Sequence, residues 1–438
     1  MKKRIAIVLA VVLLFTFVGS AGADGPFTWD TGFQVQNLGT ATANITITYY
    51  RQDGSVAHTV SDTIPPGESK TYYQPAIPEL GTTFDGSVVI TSDQPIAAIA
   101  NQTSYSQEPN LAASYNGVEG TATATTMMAP IIFKNYGGGN WTTRLAVQNA
   151  GSAITHVTVT YHGAGGTWTE EADIPLGARH TFDQAFSPIP DGFVGSAVVT
   201  SDGQPLAVVV NEISPSGMAL SYTGFSAGAT NITAPLLFKN YNDWNTGLQV
   251  QNMGTATANV EVTYYWAGGT CTENATIEPG ASHTFYQPAN TCLPDGFVGS
   301  AVVTSDQPVV AIVNEVNYAR GTGMSYNTLS GGTTTVNAPL LFKNFNNWNT
   351  GLQVQNVGTA ATHATVTYYG AGGTWTEEAD IEPGASHTFY QPANPSLPDG
   401  FVGSAVVESD GQPIVAVINE TNYARSGDAA MSYTGINQ

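Results

Sequence analysis

Apolar and polar residues alternate along most of the chain. In Gly351-Leu352-Gln353-Val354-Gln355-Asn356-Val357 the apolar positions alternate with amides, and Ala364-Thr365-Val366-Thr367-Tyr368-Tyr369 repeats the pattern. Successive side chains of a β-strand point to opposite faces, so these runs predict antiparallel strands with one face on a core and one in water. No stretch shows a helical stripe. Turn residues punctuate the pattern at Asn356-Val357-Gly358, Gly370-Ala371-Gly372-Gly373, Glu382-Pro383-Gly384 and Pro398-Asp399-Gly400. Seven or eight short strands in about 100 residues predict a β-sandwich.

The whole unit recurs four times. Trp244-Asn245-Thr246-Gly247-Leu248-Gln249-Val250-Gln251-Asn252 returns at 348–356 and, altered, at 141–149 and 29–37. Asp295-Gly296-Phe297-Val298-Gly299-Ser300-Ala301-Val302-Val303 returns at 399–407 and 191–199, and more loosely at 85–90. The predicted repeats span 24–130, 131–235, 236–339 and 340–438. A segment such as Ser325 to Asn344 predicts a strand, a turn and a returning strand. Two readings of this joint stand open: strand pairing that stiffens the array, and a flexible linker. Stacked end to end, four sandwiches predict a rod of roughly 100 Å. Repeat one lacks the Leu-Leu-Phe-Lys-Asn strand of 236–240 and 340–344, and repeat four stops soon after Met431-Ser432-Tyr433-Thr434. The offset ends suit pairing between neighbouring molecules, or closure within one chain as in an eight-bladed propeller.

The order of a strand ending in Gln-Asn-x-Gly-Thr, a strand like Val260-Glu261-Val262-Thr263-Tyr264-Tyr265, the turn Glu278-Pro279-Gly280-Ala281-Ser282 and a strand through Gly299-Ser300-Ala301-Val302-Val303 resembles CARDB-type immunoglobulin-like repeats of bacterial surface proteins. The resemblance covers about 70 residues of each repeat. It implies an adhesion or spacer role and no catalytic residues. It leaves unexplained the continuation Met324-Ser325-Tyr326-Asn327-Thr328-Leu329. The expected fold is therefore all-β: four tandem immunoglobulin-like antiparallel β-sandwich domains after a signal peptide.

That leader is residues 1–23, with a basic start (Lys2, Lys3, Arg4), an apolar run from Ile5 to Val18 and small residues Ala21-Gly22-Ala23. An extracellular or cell-surface location follows. No later stretch approaches the roughly 20 apolar residues of a spanning helix, so no transmembrane anchor is expected. Cys271 and Cys292, the only cysteines, are expected to form a disulfide, with free thiols or metal ligands as the alternative. Their counterparts one repeat later are Trp375 and Ser396, which marks the bridge as a local staple.

Composition narrows the partners. Of 438 residues 12 are Lys or Arg and 33 are Asp or Glu, and only 10% are charged. Without the leader, 9 cations face 33 acids, a net charge of −24. So few cations exclude a nucleic-acid surface. No nucleophile elbow or close ligand pair occurs. His180, His283 and His387 share one slot that repeat one gives to Lys70, which argues for outward strand positions and against a general base. Asn242-Asp243 and Glu377-Glu378-Ala379-Asp380 match no Ca²⁺ loop. No enzyme, metal or cofactor is expected. Trp29, Trp141, Trp244 and Trp348 open the first strong strand of every repeat, either packed at the joint or stacked on sugar rings. Lys134, Lys239 and Lys343 are expected to guard an edge strand. Six Asn-x-Ser/Thr sites occur, at Asn44, Asn101, Asn140, Asn231, Asn274 and Asn419. The reading is a secreted or cell-surface structural and adhesion protein whose partners are other surface proteins or cell-wall or extracellular polysaccharide. A carbohydrate-binding array using the tryptophans and a self-associating filament or surface-layer subunit are the alternatives.

Overall fold

The computed structural model describes residues 9–14, 29–105, 109–138 and 141–437, for 9–14 the backbone only. Most of the leader therefore lies outside the described residues, as does Asn140.

Repeat 2 shows the unit. Its strands are β1 (Thr126–Lys134), β2 (Thr142–Asn149), β3 (Thr155–Gly163), β4 (Gly166–Ile174), β5 (Arg179–Asp183), β6 (Phe193–Ser201), β7 (Leu206–Ser214) and β8 (Met218–Thr223). They form two antiparallel sheets, ordered β1-β6-β3-β4 and β5-β2-β7-β8. On β3 the expected alternation holds: Val157, Val159 and Tyr161 point inward, and with Leu145, Val147, Val208 and Val210 of the other sheet they form the core. The other repeats follow the same plan, and in repeat 3 β6 and β7 are one strand, Phe297–Asn317.

Strand β7 does not alternate. Leu206 to Val210 are all buried, as are Val309 to Val313 and Ile414 to Ile418. An antiparallel strand buried on both faces needs cover on both sides, and the preceding repeat supplies it. Ala207 and Val209 join the core of repeat 1, Ile312 and Val316 that of repeat 2, Val417 that of repeat 3, and Ile99 that of repeat 4. The stacking is cyclic. Eight layers of four main strands follow one another around a closed ring, the two of repeat 3 joined through Phe297–Asn317 and two others extended by a short tail strand, and the four β8 strands meet at its centre, each packed on the next and that of repeat 4 on that of repeat 1. The extended rod is thereby corrected, as is the flexible linker.

The joint differs from the expected strand exchange as well. The tail after β8 returns to β1 of its own repeat: Phe225 pairs with Met128, Leu329 with Thr233, and Ile436–Asn437 with Val336–Asn337. A proline in β1 shifts the ladder between Ala129 and Ile132, between Ala234 and Leu237, and between Ala338 and Leu341. The tyrosine of β8 bonds the freed backbone, Tyr222 donating to the Ile131 carbonyl at 2.6 Å and Tyr326 to that of Leu236 at 2.6 Å. This is the role of the Met-Ser-Tyr continuation that the family resemblance leaves over.

Repeat 1 does not lack its β1. Leu9–Leu14, part of the apolar run from Ile5 to Val18 that the sequence assigns to an expected leader, pairs antiparallel with Ser87–Ser92 and with Val118–Glu119, in the place that Thr126–Lys134 holds in repeat 2.

Cys271 and Cys292 are bonded. In repeats 2 and 4 Trp168 and Trp375 stand edge-on to Phe193 and Phe401; in repeat 3, where Cys271 takes the tryptophan's position, Trp266 from the neighbouring strand packs on Phe297.

Candidate functional site: clefts at the repeat junctions

Where one repeat packs on the next, a cleft opens. The cleft between repeats 2 and 3 measures about 360 Å³ and that between repeats 3 and 4 about 750 Å³. One wall comes from the turn after β1. In repeat 3 Asn240, Asn242 and Asp243 hold left-handed conformations, which asparagine and aspartate tolerate at low cost, and close a turn bonded between Tyr241 and Trp244. The turn lays Tyr241 flat on Phe238, ring centroids 5.8 Å apart, with Trp244 tilted behind at 6.3 Å. Phe133, Tyr136 and Trp141 build the same stack in repeat 2.

The opposite wall belongs to the following repeat: Tyr286 and Tyr318 in the first cleft, Tyr390 and Tyr423 in the second. All four are exposed, and with Tyr136 and Tyr241 they make up much of the large apolar surface left in water. Gly247 and Gly351 leave the space open opposite Tyr286 and Tyr390. Between repeats 1 and 2 the same register carries Arg144 opposite Asp183, an ion pair of 3.1 Å, and Trp29 is only 3% exposed. There an ion pair takes the place of the glycine and tyrosine.

The floor is a carboxyl and an amide from adjacent repeats. Asn314 donates to Glu212 at 2.6 Å, Asn419 to Glu315 at 2.6 Å, and Asn101 to Glu420 at 3.1 Å. The three glutamates are wholly buried, and the other carboxyl oxygen of each glutamate and the amide oxygen of each asparagine have no hydrogen-bond partner. Burial pushes each carboxyl up to about 8, against the downward pull of the asparagine bond. In repeat 1 the position holds Gln102.

The tryptophans are walls and not platforms: Trp29, Trp141 and Trp244 are buried and Trp348 is half-buried. The tyrosines at the cleft mouths were not singled out by the sequence, although Tyr286 and Tyr390 recur in one slot, and so do Tyr318 and Tyr423. The lysines are not edge guards. Lys239 is buried and donates to the carbonyls of Asn290 and Leu293, Lys343 to those of Asn394 and Leu397, and Lys134 to that of Ser187. Although β1 ends its sheet, the ammonium does not lie along the open edge but turns to carbonyls of the segment after β5, which need donors. His180, His283 and His387 are exposed and edge-on to Phe182, Phe285 and Phe389. His363 reaches Asp380 at 2.7 Å and Glu378 at 3.4 Å on the open surface. Among the described residues no three His, Cys, Asp or Glu side chains gather as a metal site, and no helix is long and apolar enough to cross a membrane. Asn419, one of the Asn-x-Ser/Thr positions, is buried in the floor of a cleft.

No family model matches the chain, and no curated protein matches it. Among solved structures, a tetra-tandem repeat from the extending region of a large adhesion protein aligns over 98% of this chain and 99% of its own at 15% identity, with a TM-score of 0.13. The FN1–FN3 domains of chicken CNTN1 align over 66% of this chain and 93% of their own at 7% identity, with a TM-score of 0.11. Likenesses this weak add nothing to the functional reading.

Proposed function

We propose that the chain is a non-catalytic adhesion protein of the cell exterior, a ring that offers its junction clefts to a partner. The observation that carries this is the concentration of exposed aromatic side chains at the mouths of equivalent clefts between repeats. Aromatic residues on a concave, partly polar site are typical of recognition surfaces. The disulfide and the leader-like first 23 residues favour the exterior. A spacer role fits a rod better than a ring. The filament reading has little to draw on, because both halves of the joint between repeats 4 and 1 are used within the chain. The test is attachment of purified protein to intact cells and to cell-wall polysaccharide. Adhesion through the clefts predicts loss of attachment in a Tyr286→Ser, Tyr390→Ser double variant that melts like the parent; undiminished attachment overturns it.

A further inference from the structure

Three of the four junctions contain an arginine. Between repeats 1 and 2 there are two, Arg144, paired with Asp183 of its own repeat, and Arg179, paired with Asp85 of repeat 1. Between repeats 3 and 4 the Arg320 guanidinium lies over the Tyr423 ring, 4.6 Å from its centroid, and between repeats 4 and 1 Arg425 lies over Tyr105 at 4.0 Å. The chain has only six arginines, and four of them, Arg144, Arg179, Arg320 and Arg425, stand at these junctions. The junction between repeats 2 and 3 has none. The hairpin that corresponds to the one bearing Arg320 reads Pro215-Ser216-Gly217 where repeat 3 has Tyr318-Ala319-Arg320-Gly321, and the missing residue is the arginine. The ring it would cover, Tyr318, is 58% exposed.

We propose that the cleft between repeats 2 and 3 is a docking site for an arginine side chain of a partner polypeptide, which takes over Tyr318 the place that Arg320 and Arg425 fill in the sister clefts. This rests on the adhesion reading and names its ligand. A planar guanidinium is attracted to the face of an aromatic ring and stacks on it, which an ammonium does less well. Its N–H fork also suits the acceptors of the cleft. Glu212, Asn314 and Thr284 line it. The chain's net charge of −21 draws cations toward its surface. A neutral sugar would also meet aromatic walls, but it leaves unexplained why the missing part is an arginine.

The test titrates the full chain with acetyl-arginine amide, following tyrosine and tryptophan fluorescence. The controls are acetyl-citrulline amide, which has the same shape without the charge, and methyl glucoside. Saturable binding is expected for the arginine amide and at least tenfold weaker binding for the citrulline amide. Tyr318→Leu should weaken arginine binding at least tenfold. Gly247→Arg should abolish it by copying the residue at that position in the first junction. A Cβ at Gly247 meets only Thr284 and Tyr286 at 3.7 and 3.9 Å, so this variant has room to fold, and equal melting of both variants confirms it. The proposal is overturned by equal binding of arginine and citrulline amides, by Tyr318→Leu binding like the parent, or by saturation with methyl glucoside, which would make the cleft a glycan site. Absence of arginine binding in a protein that still attaches to cells also overturns it and leaves the adhesion reading standing.

Discussion

The side-chain carboxyl of Asp428 accepts a hydrogen bond from the backbone N–H of Ala219, 2.7 Å away and 209 residues earlier in the chain. The same carboxyl accepts from the Thr322 hydroxyl at 2.7 Å and from the Gly323 N–H at 3.2 Å, while the Asp428 N–H donates to the Asn110 carbonyl at 3.0 Å. One wholly buried residue of repeat 4 thus bonds to repeats 1, 2 and 3. Burial raises its pKa well above the usual range, and the donors around it pull the other way. Asp428→Ala leaves three buried donors unpaired, which costs about 3 kcal/mol or more. Denaturant unfolding measures this. Asp428→Asn, which keeps one acceptor oxygen, should lose less, and an alanine variant as stable as the parent would remove the hub role.

The buried glutamates give a pH dependence with a definite sign. Their folded pKa of about 8 lies above the ordinary 4.5, so the unfolded chain releases these protons first. Stability contributed by the neutral form is complete below about pH 4.5 and falls as pH rises toward 8, by on the order of 1 kcal/mol per pH unit for each carboxyl. Glu315→Gln copies the natural Gln102, and thermal melts should show it less sensitive than the parent between pH 5 and about 8. A parallel pair of curves contradicts the assignment.

Removal of residues 1–23 takes away the strand paired with Ser87–Ser92. Amide exchange at Ser87 to Ser92 should then quicken relative to the matching strand of repeat 2, Phe193–Ser201, which keeps its partner. Unchanged protection in the shortened chain would show that Leu9–Leu14 adds nothing to repeat 1.

Reduction of Cys271–Cys292 should cost about 3 kcal/mol by the loop-closure estimate. Scanning calorimetry with and without reductant reads it. The loss should be confined to repeat 3, since repeats 2 and 4 brace the corresponding strand with Trp168 and Trp375.

The strands, the turns and the fourfold repeat were legible because a period of two survives in each β3, as in Val157-Thr158-Val159-Thr160-Tyr161. The ring was legible only where that period fails. Ile414-Val415-Ala416-Val417-Ile418 has no polar face, the signal of a strand covered twice, yet nothing local says that the second cover is another repeat. The cleft floors were hidden for a different reason. Asn211-Glu212, Asn314-Glu315 and Asn419-Glu420 recur in register, but a glutamate on a strand reads as a solvent-facing residue until its neighbour across the junction is known. The lysines of Phe-Lys-Asn misled likewise, because carbonyls far along the chain receive them.

Cyclic stacking also fixes a number. In an open array one more copy of the unit adds a layer and leaves the others undisturbed. Here each repeat occupies one quarter of a closed circuit, so a fifth copy arising by gene duplication would have to change the angle at every junction before its own β7 found cover. Gain or loss of a single unit is thereby penalised, and divergence is directed into the junctions themselves, where Arg144 already departs from Gly32, Gly247 and Gly351 while the frame around them stays constant.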